Sequence, residues 1–454
     1  MQLPESFLSV LPLGTAESKE AFLASLDTPS PVSVRLNAHK PAPSLPAGVQ
    51  GEVPWCPLGR YLTERPSFTA DPLFHAGSYY VQEASSMYLW TAVGEAVKCL
   101  GNRPLRALDL CAAPGGKATL LSDALPPGSL LVANELIHAR ANVLAENLTK
   151  WGSPHTIVTQ ADPALLGQAE AMFDLLLTDV PCSGEGMFRK EADALAGWSP
   201  AAVEHCAERQ RAILQAVWPA LKPGGCLIYS TCTYNTAEDE DNVAWICETL
   251  GAETIGLPVS DGISPSVRPG VKACRFFPHR VKGEGLFMCL LRKTGELPLG
   301  NVRSEPGRQK DWQRKAPVDC LLPGEDFRFF EAGGRWHALP AAHFPVYDWL
   351  SRHKLPMLAA GIRLGTFKGK DFVPDVSLAL SGCLATEKVV CCELDREQAL
   401  AYLSHEPVVL PAAVPRGFAV VKYQGRPLGW VKQLGNRVNN LYPAEWRIRQ
   451  AVWL

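Results

Sequence analysis

Between positions 106 and 291 the apolar residues come in short runs: Arg106–Leu110, Leu130–Asn134, Thr156–Thr159, Phe173–Asp179, Cys226–Ser230 and Leu286–Leu291. Segments with helical spacing separate them, notably Ile137–Lys150 and Pro200–Leu221. Short apolar strands alternating with helices predict a mostly parallel sheet covered on both faces, a doubly wound α/β fold. The junctions support this reading. Ser199-Pro200 supplies a cap and a first helical residue, and Lys222-Pro-Gly-Gly225 supplies a stop before the next strand. Upstream, Gln82–Trp90 reads as the start of a helix ending near Gly101-Asn102.

The flanks read differently. Residues 1–72 combine a short apolar start, a helix around Lys19–Leu26 and a proline-rich stretch from Pro41 to Pro57, and are expected to form a small α+β accessory domain. The catalytic unit is placed at 73–294 and a basic linker at 295–320. The segment 321–454, with runs such as Phe418–Tyr423 broken by glycines, is expected to be a β-rich region. A chain of 454 residues is long enough for several such units.

Composition changes this picture only locally. The net charge of -2 does not announce a nucleic-acid binder, so any such surface has to be regional. Between Arg268 and Lys315 there are twelve Lys/Arg against four acids, and from Pro411 onward seven Lys/Arg face only Glu445. Tyr423, Trp430, Tyr442 and Trp446 are interleaved with the latter set, a composition suited to neutralising phosphates and stacking on unpaired bases. The fourteen cysteines are scattered without disulfide-scaffold or zinc spacing, which points to reduced thiols, no metal and a cytoplasmic protein. No segment approaches the ~20 apolar residues of a membrane span. His75, His205 and His279 have no ligand-like spacing and are assigned to packing or surface.

The chemistry is expected at the carboxyl ends of the strands, where ligands of such sheets bind. The first strand leads into Cys111-Ala112-Ala113-Pro114-Gly115-Gly116-Lys117, whose glycines permit close backbone approach to a ligand at a helix start. Its pattern is neither that of a dinucleotide site nor that of a phosphate-transferring loop. Glu135 ends the next strand, where a carboxylate can accept from ribose hydroxyls, and Asp162 ends the third, where it can hold an adenine amino group. Two cysteines follow later strands, Cys182 in Asp179-Val-Pro-Cys-Ser-Gly-Glu-Gly186 and Cys232 in Ser230-Thr-Cys-Thr-Tyr-Asn235. A thiolate can add to carbon 6 of a pyrimidine and make carbon 5 nucleophilic, so a pair of thiols beside a nucleotide-type pocket suggests methyl transfer to that carbon. Residue chemistry alone does not say which thiol attacks.

Together these segments resemble the Sun/nucleolar-protein family of RNA (cytosine-5) methyltransferases. Ser33–Asn37 and Tyr80–Ser85 are similar to its earlier motifs, and Arg275–His279 with Gly285–Phe287 to a later one. Gly429–Lys432 and Asn439–Pro443 with Trp446-Arg447 resemble the carboxyl-terminal RNA-binding, PUA-like region of the bacterial members that act on 16S ribosomal RNA, the RsmF type. The resemblance implies a Rossmann-like class I methyltransferase domain and S-adenosylmethionine as donor, contacted by residues 111–117, Glu135, Asp162 and Asp179. It implies Cys232 as the nucleophile and Cys182 as the group assisting proton removal and product release, the reverse of the DNA cytosine-5 enzymes.

Attack on the ring is helped if an acid shares a proton with nitrogen 3, and Asp179 is the best-placed candidate. Lys117 is a candidate to lower a thiol pKa or hold a carboxylate, and Glu185 and Arg189 to touch the extruded nucleotide. Val180 replaces the family's usual alanine. Glu238 and Glu240 are expected to cap the following helix. Ribosomal RNA or the small subunit is the implied partner. Methylation of transfer RNA, or a catalytically silent assembly factor, are the competing readings.

Overall fold

The computed structural model describes residues 3–260, 262–295 and 317–449. Most of the basic linker expected at 295–320 therefore lies outside the described residues.

Two helices, Glu5–Val10 and Ala16–Leu26, precede an antiparallel sheet of β1 (Ser33–Leu36), β2 (Val49–Val53), β3 (Cys56–Leu62) and β4 (Tyr79–Val81), in the order β2-β3-β1-β4. The fourth strand lies beyond the boundary expected at 72, because Val34 to Leu36 need a partner on their second edge and Tyr79 to Val81 supply it. Arg35 in β1 is fully buried. It pairs with Asp123 at 3.0 Å and donates to Thr119 Oγ1 at 2.6 Å, which locks this sheet onto the next unit.

The central strands are β5 (Arg106–Asp109), β6 (Leu130–Asn134), β7 (Thr156–Thr159), β8 (Phe173–Asp179) and β9 (Leu221–Thr231), all parallel in the order β9-β8-β5-β6-β7. β10 (Ala252–Ile255), β11 (Ser264–Pro265), β12 (Ala273–Phe276) and β13 (Leu286–Lys293) extend the sheet, β13 pairing antiparallel with β9. Alternation of side chains explains the continuous apolar runs. Ala107, Leu131, Leu175 and Ile228 enter one core with the helix Leu89–Leu100, while Leu108, Val132, Leu176 and Leu227 enter a second with Leu214 and Val217 of the helix Pro200–Val217. Each fully buried leucine stabilises by about 1.5–3 kcal/mol.

The helix junctions fall close to their expected places. Ser199 Oγ accepts from Ala202 N at 3.1 Å, and Gly101 ends its helix at φ 83°. The first catalytic helix starts at Leu89 rather than Gln82, because the Glu83 carboxylate accepts from the amides of Ser85 and Ser86 and holds a tight turn there.

The carboxyl-terminal segment is not one β-rich region. β14 (Phe327–Ala332) and β15 (Arg335–Pro340) form a hairpin, but the next strand, β16 (Met357–Ala360), leaves it and pairs antiparallel with β7, completing the ten-stranded catalytic sheet. β17 (Ile362–Lys368) and β18 (Asp371–Pro374) return to the hairpin. A separate sheet follows, of β19 (Cys391–Glu393), β20 (Gly417–Tyr423), β21 (Arg426–Gln433) and β22 (Val438–Asn440). Lys40 Nζ, buried, donates to the carbonyls of Ala76 and Leu380 at 2.9 Å and to that of Lys150, joining all three parts of the chain.

Candidate active site

The five parallel strands present Cys111, Glu135, Asp162, Asp179 and Cys232 beyond their carboxyl ends. These residues, with Ala113 and Cys182, line a cavity of about 450 Å³. Ala112, Pro114, Gly115, Gly116 and Lys117 do not line it. The space over the two loop glycines is filled by protein: a Cβ on Gly115 would meet Asn147 Cβ at 3.3 Å, and one on Gly116 would meet the Tyr80 ring at 3.2 Å. Gly115 also needs its φ of 121° to turn the chain into the helix Gly116–Ala124. The loop is thus clamped from outside, and Arg140 and Asn147 hold its carbonyls at Ala113 and Pro114.

One half of the cavity is open and sparsely bonded. Glu135 is buried, its Oε1 accepts from Ile137 N at 2.9 Å, and its Oε2 lies 3.4 Å from Arg140. Asp162 caps the helix Pro163–Gly167 through Ala164 N at 2.8 Å. Leu136 and Ile137 are each 50% exposed although apolar, and Ile213 lines the cavity with them. A carboxylate for ribose hydroxyls, an acceptor for an amino group and apolar side chains for the faces of a purine fit a nucleoside donor such as S-adenosylmethionine. Under this half Asp109 is fully buried, and neither carboxyl oxygen has a hydrogen-bond partner among the described residues. Burial first, then the nearby Asp179 carboxylate, push its pKa well up.

The other half is densely bonded. Cys182 Sγ and Cys232 Sγ, 50 residues apart in sequence, lie 3.1 Å apart, and Cys232 N points at Cys182 Sγ from 3.4 Å. The sulfur–sulfur hydrogen bond, followed by burial, drives the Cys182 thiol pKa well up against the opposing Cys232 amide, so Cys182 is held as a neutral thiol. Asp179 accepts from Ser230 Oγ at 2.8 Å and pairs with Lys117 Nζ at 2.8 Å. Burial alone would lower the lysine pKa, but Asp179, Cys232 and Asp109 outweigh it and the net shift is upward.

Several assignments are corrected here. Glu185 does not face a nucleotide. It is 1% exposed and accepts from Trp198 Nε1, Thr233 Oγ1 and the amides of Tyr234 and Asn235, at 2.5–3.0 Å. Arg189 is likewise engaged, with Glu284 at 2.9 Å and the carbonyls of Ser25 and Gly283. Glu238 caps no helix but joins the two cysteine loops, accepting from Ser183 N, Gln210 Nε2 and Asn235 Nδ2. Glu240 pairs with the buried Arg275, which also donates to Tyr234 O at 2.7 Å and so braces the Cys232 loop. Trp430 and Tyr442 are core residues, 4% and 2% exposed, rather than stacking platforms.

Sequence reasoning missed the wall made by Arg209, Ala212 and Ile213 on the helix Pro200–Val217. Their helical spacing shows a shared face but not what that face meets. It also missed the buttress under the Cys182 loop, where Phe7 and Phe22 of the first two helices pack against Phe188, Trp198, Tyr234 and Phe277. Among the described residues no group of three or more His, Cys, Asp or Glu is placed to hold a metal, and no helix is long and apolar enough to cross a membrane.

Three family models match the chain: 16S rRNA methyltransferase RsmB/F over residues 102–292, the N-terminal domain of 16S rRNA methyltransferase RsmF over 3–84, and the methyltransferase RsmF PUA domain over 389–448. The ribosomal RNA small subunit methyltransferase F of Escherichia coli (strain K12) is 31% identical over 473 residues, 97% of this chain and 96% of that protein. The protein of the same name from Cronobacter sakazakii is 32% identical, with 98% and 96% covered. Among solved structures, a methyltransferase homolog protein from Pyrococcus horikoshii is 26% identical with a TM-score of 0.53, covering 63% of this chain and 93% of that one. NSun6 from the same organism, solved with SFG, has a TM-score of 0.54 at 20% identity over 64% of this chain and 97% of its own, a likeness of fold.

Proposed function

Because the chain belongs to the RsmB/F family of 16S rRNA methyltransferases, we propose that it methylates carbon 5 of a cytosine in 16S ribosomal RNA, using S-adenosylmethionine and a covalent Cys232–cytosine intermediate. The observation that carries the reading is the 3.1 Å approach of the Cys182 and Cys232 sulfurs in the wall of a nucleoside-sized cavity. S-adenosylmethionine would be held by Glu135, Asp162 and the apolar Ile137 and Ile213, and when bound it supplies an electrophilic methyl group.

Cys182 is kept as a thiol 3.1 Å from Cys232 Sγ, and Cys232 is the sulfur that attacks. Cys232 Sγ gives up its proton to solvent as it bonds to carbon 6, and the electron pair displaced from the ring double bond makes carbon 5 nucleophilic. Asp179 with Lys117 forms the acid pair that shares a proton with ring nitrogen 3 and limits the charge built on the ring. After carbon 5 is methylated, a solvent water on the Cys182 side takes its proton, the neutral Cys182 thiol orienting that water rather than accepting the proton itself. The electrons of that C–H bond restore the double bond and expel Cys232. The target base has to leave its stack to reach the cavity. Such an enzyme works in the cytoplasm, where small subunits are assembled.

The test has two parts. Base-resolution mapping of 5-methylcytosine after incubation with S-adenosylmethionine and either naked 16S RNA or free small subunits should give new signal at defined cytosines. Cys182→Ala should accumulate a protein–RNA adduct stable to denaturing gels, whereas Cys232→Ala should form none and lose at least about a thousandfold in rate. The opposite gel pattern would reassign the nucleophile, and signal in transfer RNA alone would move the substrate.

A further inference from the structure

Residues 317–388 are matched by none of the three family models, and side chains between Phe330 and Arg363 line a second cavity of about 350 Å³. One wall is aromatic. Phe330 lies 4.6 Å from Tyr347 between ring centroids and stacks on His337 at 5.2 Å and 15°. The opposite wall is the apolar face of β16, beginning at Met357. The rim is cationic. Arg335 and His337, two residues apart on β15, share a face of the sheet, and Arg363 on β17 sits directly across from His337. No acidic residue lines the cavity.

These polar groups are only partly satisfied inside the protein. His337 is 8% exposed, and its Nδ1 has no hydrogen-bond partner among the described residues. Burial lowers its pKa to about 4, against a backbone hydrogen bond at Ala360 that raises it, which keeps the imidazole neutral at physiological pH with Nδ1 left for a ligand. Arg363 Nε is buried without a hydrogen bond, its nearest carboxylate being Asp375 at 3.6 Å. The Arg335 side chain is exposed and has no ion pair among the described residues. Two guanidinium groups suit a phosphate, and a flat apolar wall beside a neutral imidazole suits a base.

The position connects this cavity to the reaction. Met357 is in register with Thr159 at the carboxyl end of β7, and Gln160 N donates to Pro356 O at 3.0 Å. Asp162, two residues further, lines the donor cavity. The second cavity thus opens beside the sheet edge that carries the chemistry, on a strand lent to that sheet by this segment.

We propose that this cavity binds one nucleotide of the single-stranded part of the substrate RNA, its phosphate between Arg335 and Arg363 and its base against Tyr347 and His337. The proposal rests on the reading of RNA as substrate and adds a holding point outside the catalytic cavity. It is tested on the full chain by fluorescence anisotropy with an end-labelled, cytosine-free RNA of about ten nucleotides, a length within the range such sites cover. In the Arg335→Gln/Arg363→Gln variant the Kd should rise at least about tenfold, with the salt slope shrinking by about 0.7 for each lost phosphate contact. The Kd for S-adenosylmethionine should stay as it was. With 16S RNA as substrate, KM should rise while kcat is unchanged.

Arg335→Gln alone, at an exposed position, repeats the test at smaller amplitude without risk to folding. RNA binding within twofold of the parent in both variants overturns the proposal. So does uridine 5′-monophosphate binding that is lost in the variant while RNA binding is kept, which would make the ligand a free nucleotide. A parent protein that binds the oligomer through these arginines yet transfers no methyl group would leave this site standing and remove the proposed reaction instead.

Discussion

The two halves of the catalytic cavity are built on opposite principles. On the donor side Glu135 and Asp162 each make a few local hydrogen bonds, and Leu136 and Ile137 remain half exposed. On the cysteine side nearly every polar group is already used. Glu185 and Glu238 gather donors from the Cys182 loop, the Cys232 loop and the helix Pro200–Val217, and Arg275 and Arg189 brace them from below. The difference follows from the tasks. A reversibly bound nucleoside has to find free acceptors and uncovered apolar surface. Two sulfurs that act in turn on one base, as the proposed mechanism requires, have to be held to a fraction of an ångström, which a saturated buried network does.

The largest effect that would sharpen this contrast is on the donor side. Glu135→Ala removes the carboxylate available to ribose hydroxyls, worth about 1.5–3 kcal/mol, so the Kd for S-adenosylmethionine should rise by about ten- to a hundredfold. By calorimetry that loss should appear with kcat at saturating donor within about twofold of the parent. An equal fall in kcat would mean that the two halves are not separable.

On the cysteine side the pattern should invert. Glu185→Gln cannot accept all five of the bonds now made to the carboxylate, and the amide it introduces faces donors. A stability loss of about 2–3 kcal/mol is expected, with kcat down about tenfold and the donor Kd unchanged. Denaturant titration and donor calorimetry on one preparation decide it, since a weakened donor Kd would show that the network reaches across the cavity.

The smallest effect concerns the thiols themselves. Because the Cys182 pKa is raised, the thiol stays protonated through the ordinary range, and its alkylation by iodoacetamide should keep accelerating with pH beyond that range. Cys232→Ala removes the main cause of the shift and should speed alkylation of Cys182 several-fold at pH 8. Mass spectrometry of the two peptides reads both rates, and no change in the variant would dissolve the sulfur–sulfur hydrogen bond as an explanation.

Much of the catalytic sheet was legible because it is written in local terms. Phe173–Asp179 carries the continuous apolar run Leu175–Leu177, as a strand buried on both faces does, and Ser199-Pro200 is a local cap and first helical residue. The motif residues Cys111, Glu135, Asp162, Asp179 and Cys232 could be placed at one edge of the sheet because each follows a recognisable strand. The glycines of residues 115 and 116 were read as room for a ligand, whereas Asn147 and Tyr80 occupy that room. Glycine signals close approach without saying by what. Aromatic residues carry the same ambiguity. Trp430 and Tyr442, read as platforms for bases, are buried, while Tyr347 and Phe330, which the sequence did not single out, line a cavity.

By itself the sequence determined the alternation of the central strands and helices and the family to which the chain belongs, since both rest on spacing within a few residues or on motif order. Only the tertiary structure decided that Cys182 and Cys232 touch, that Glu185 is a buried hub and that β16 leaves its hairpin to complete the catalytic sheet. The physical reason is the same in each case. Many carboxylates and many short strands are locally equivalent, and the choice among them is made by long-range burial, where a polar group has to find partners or remain in water.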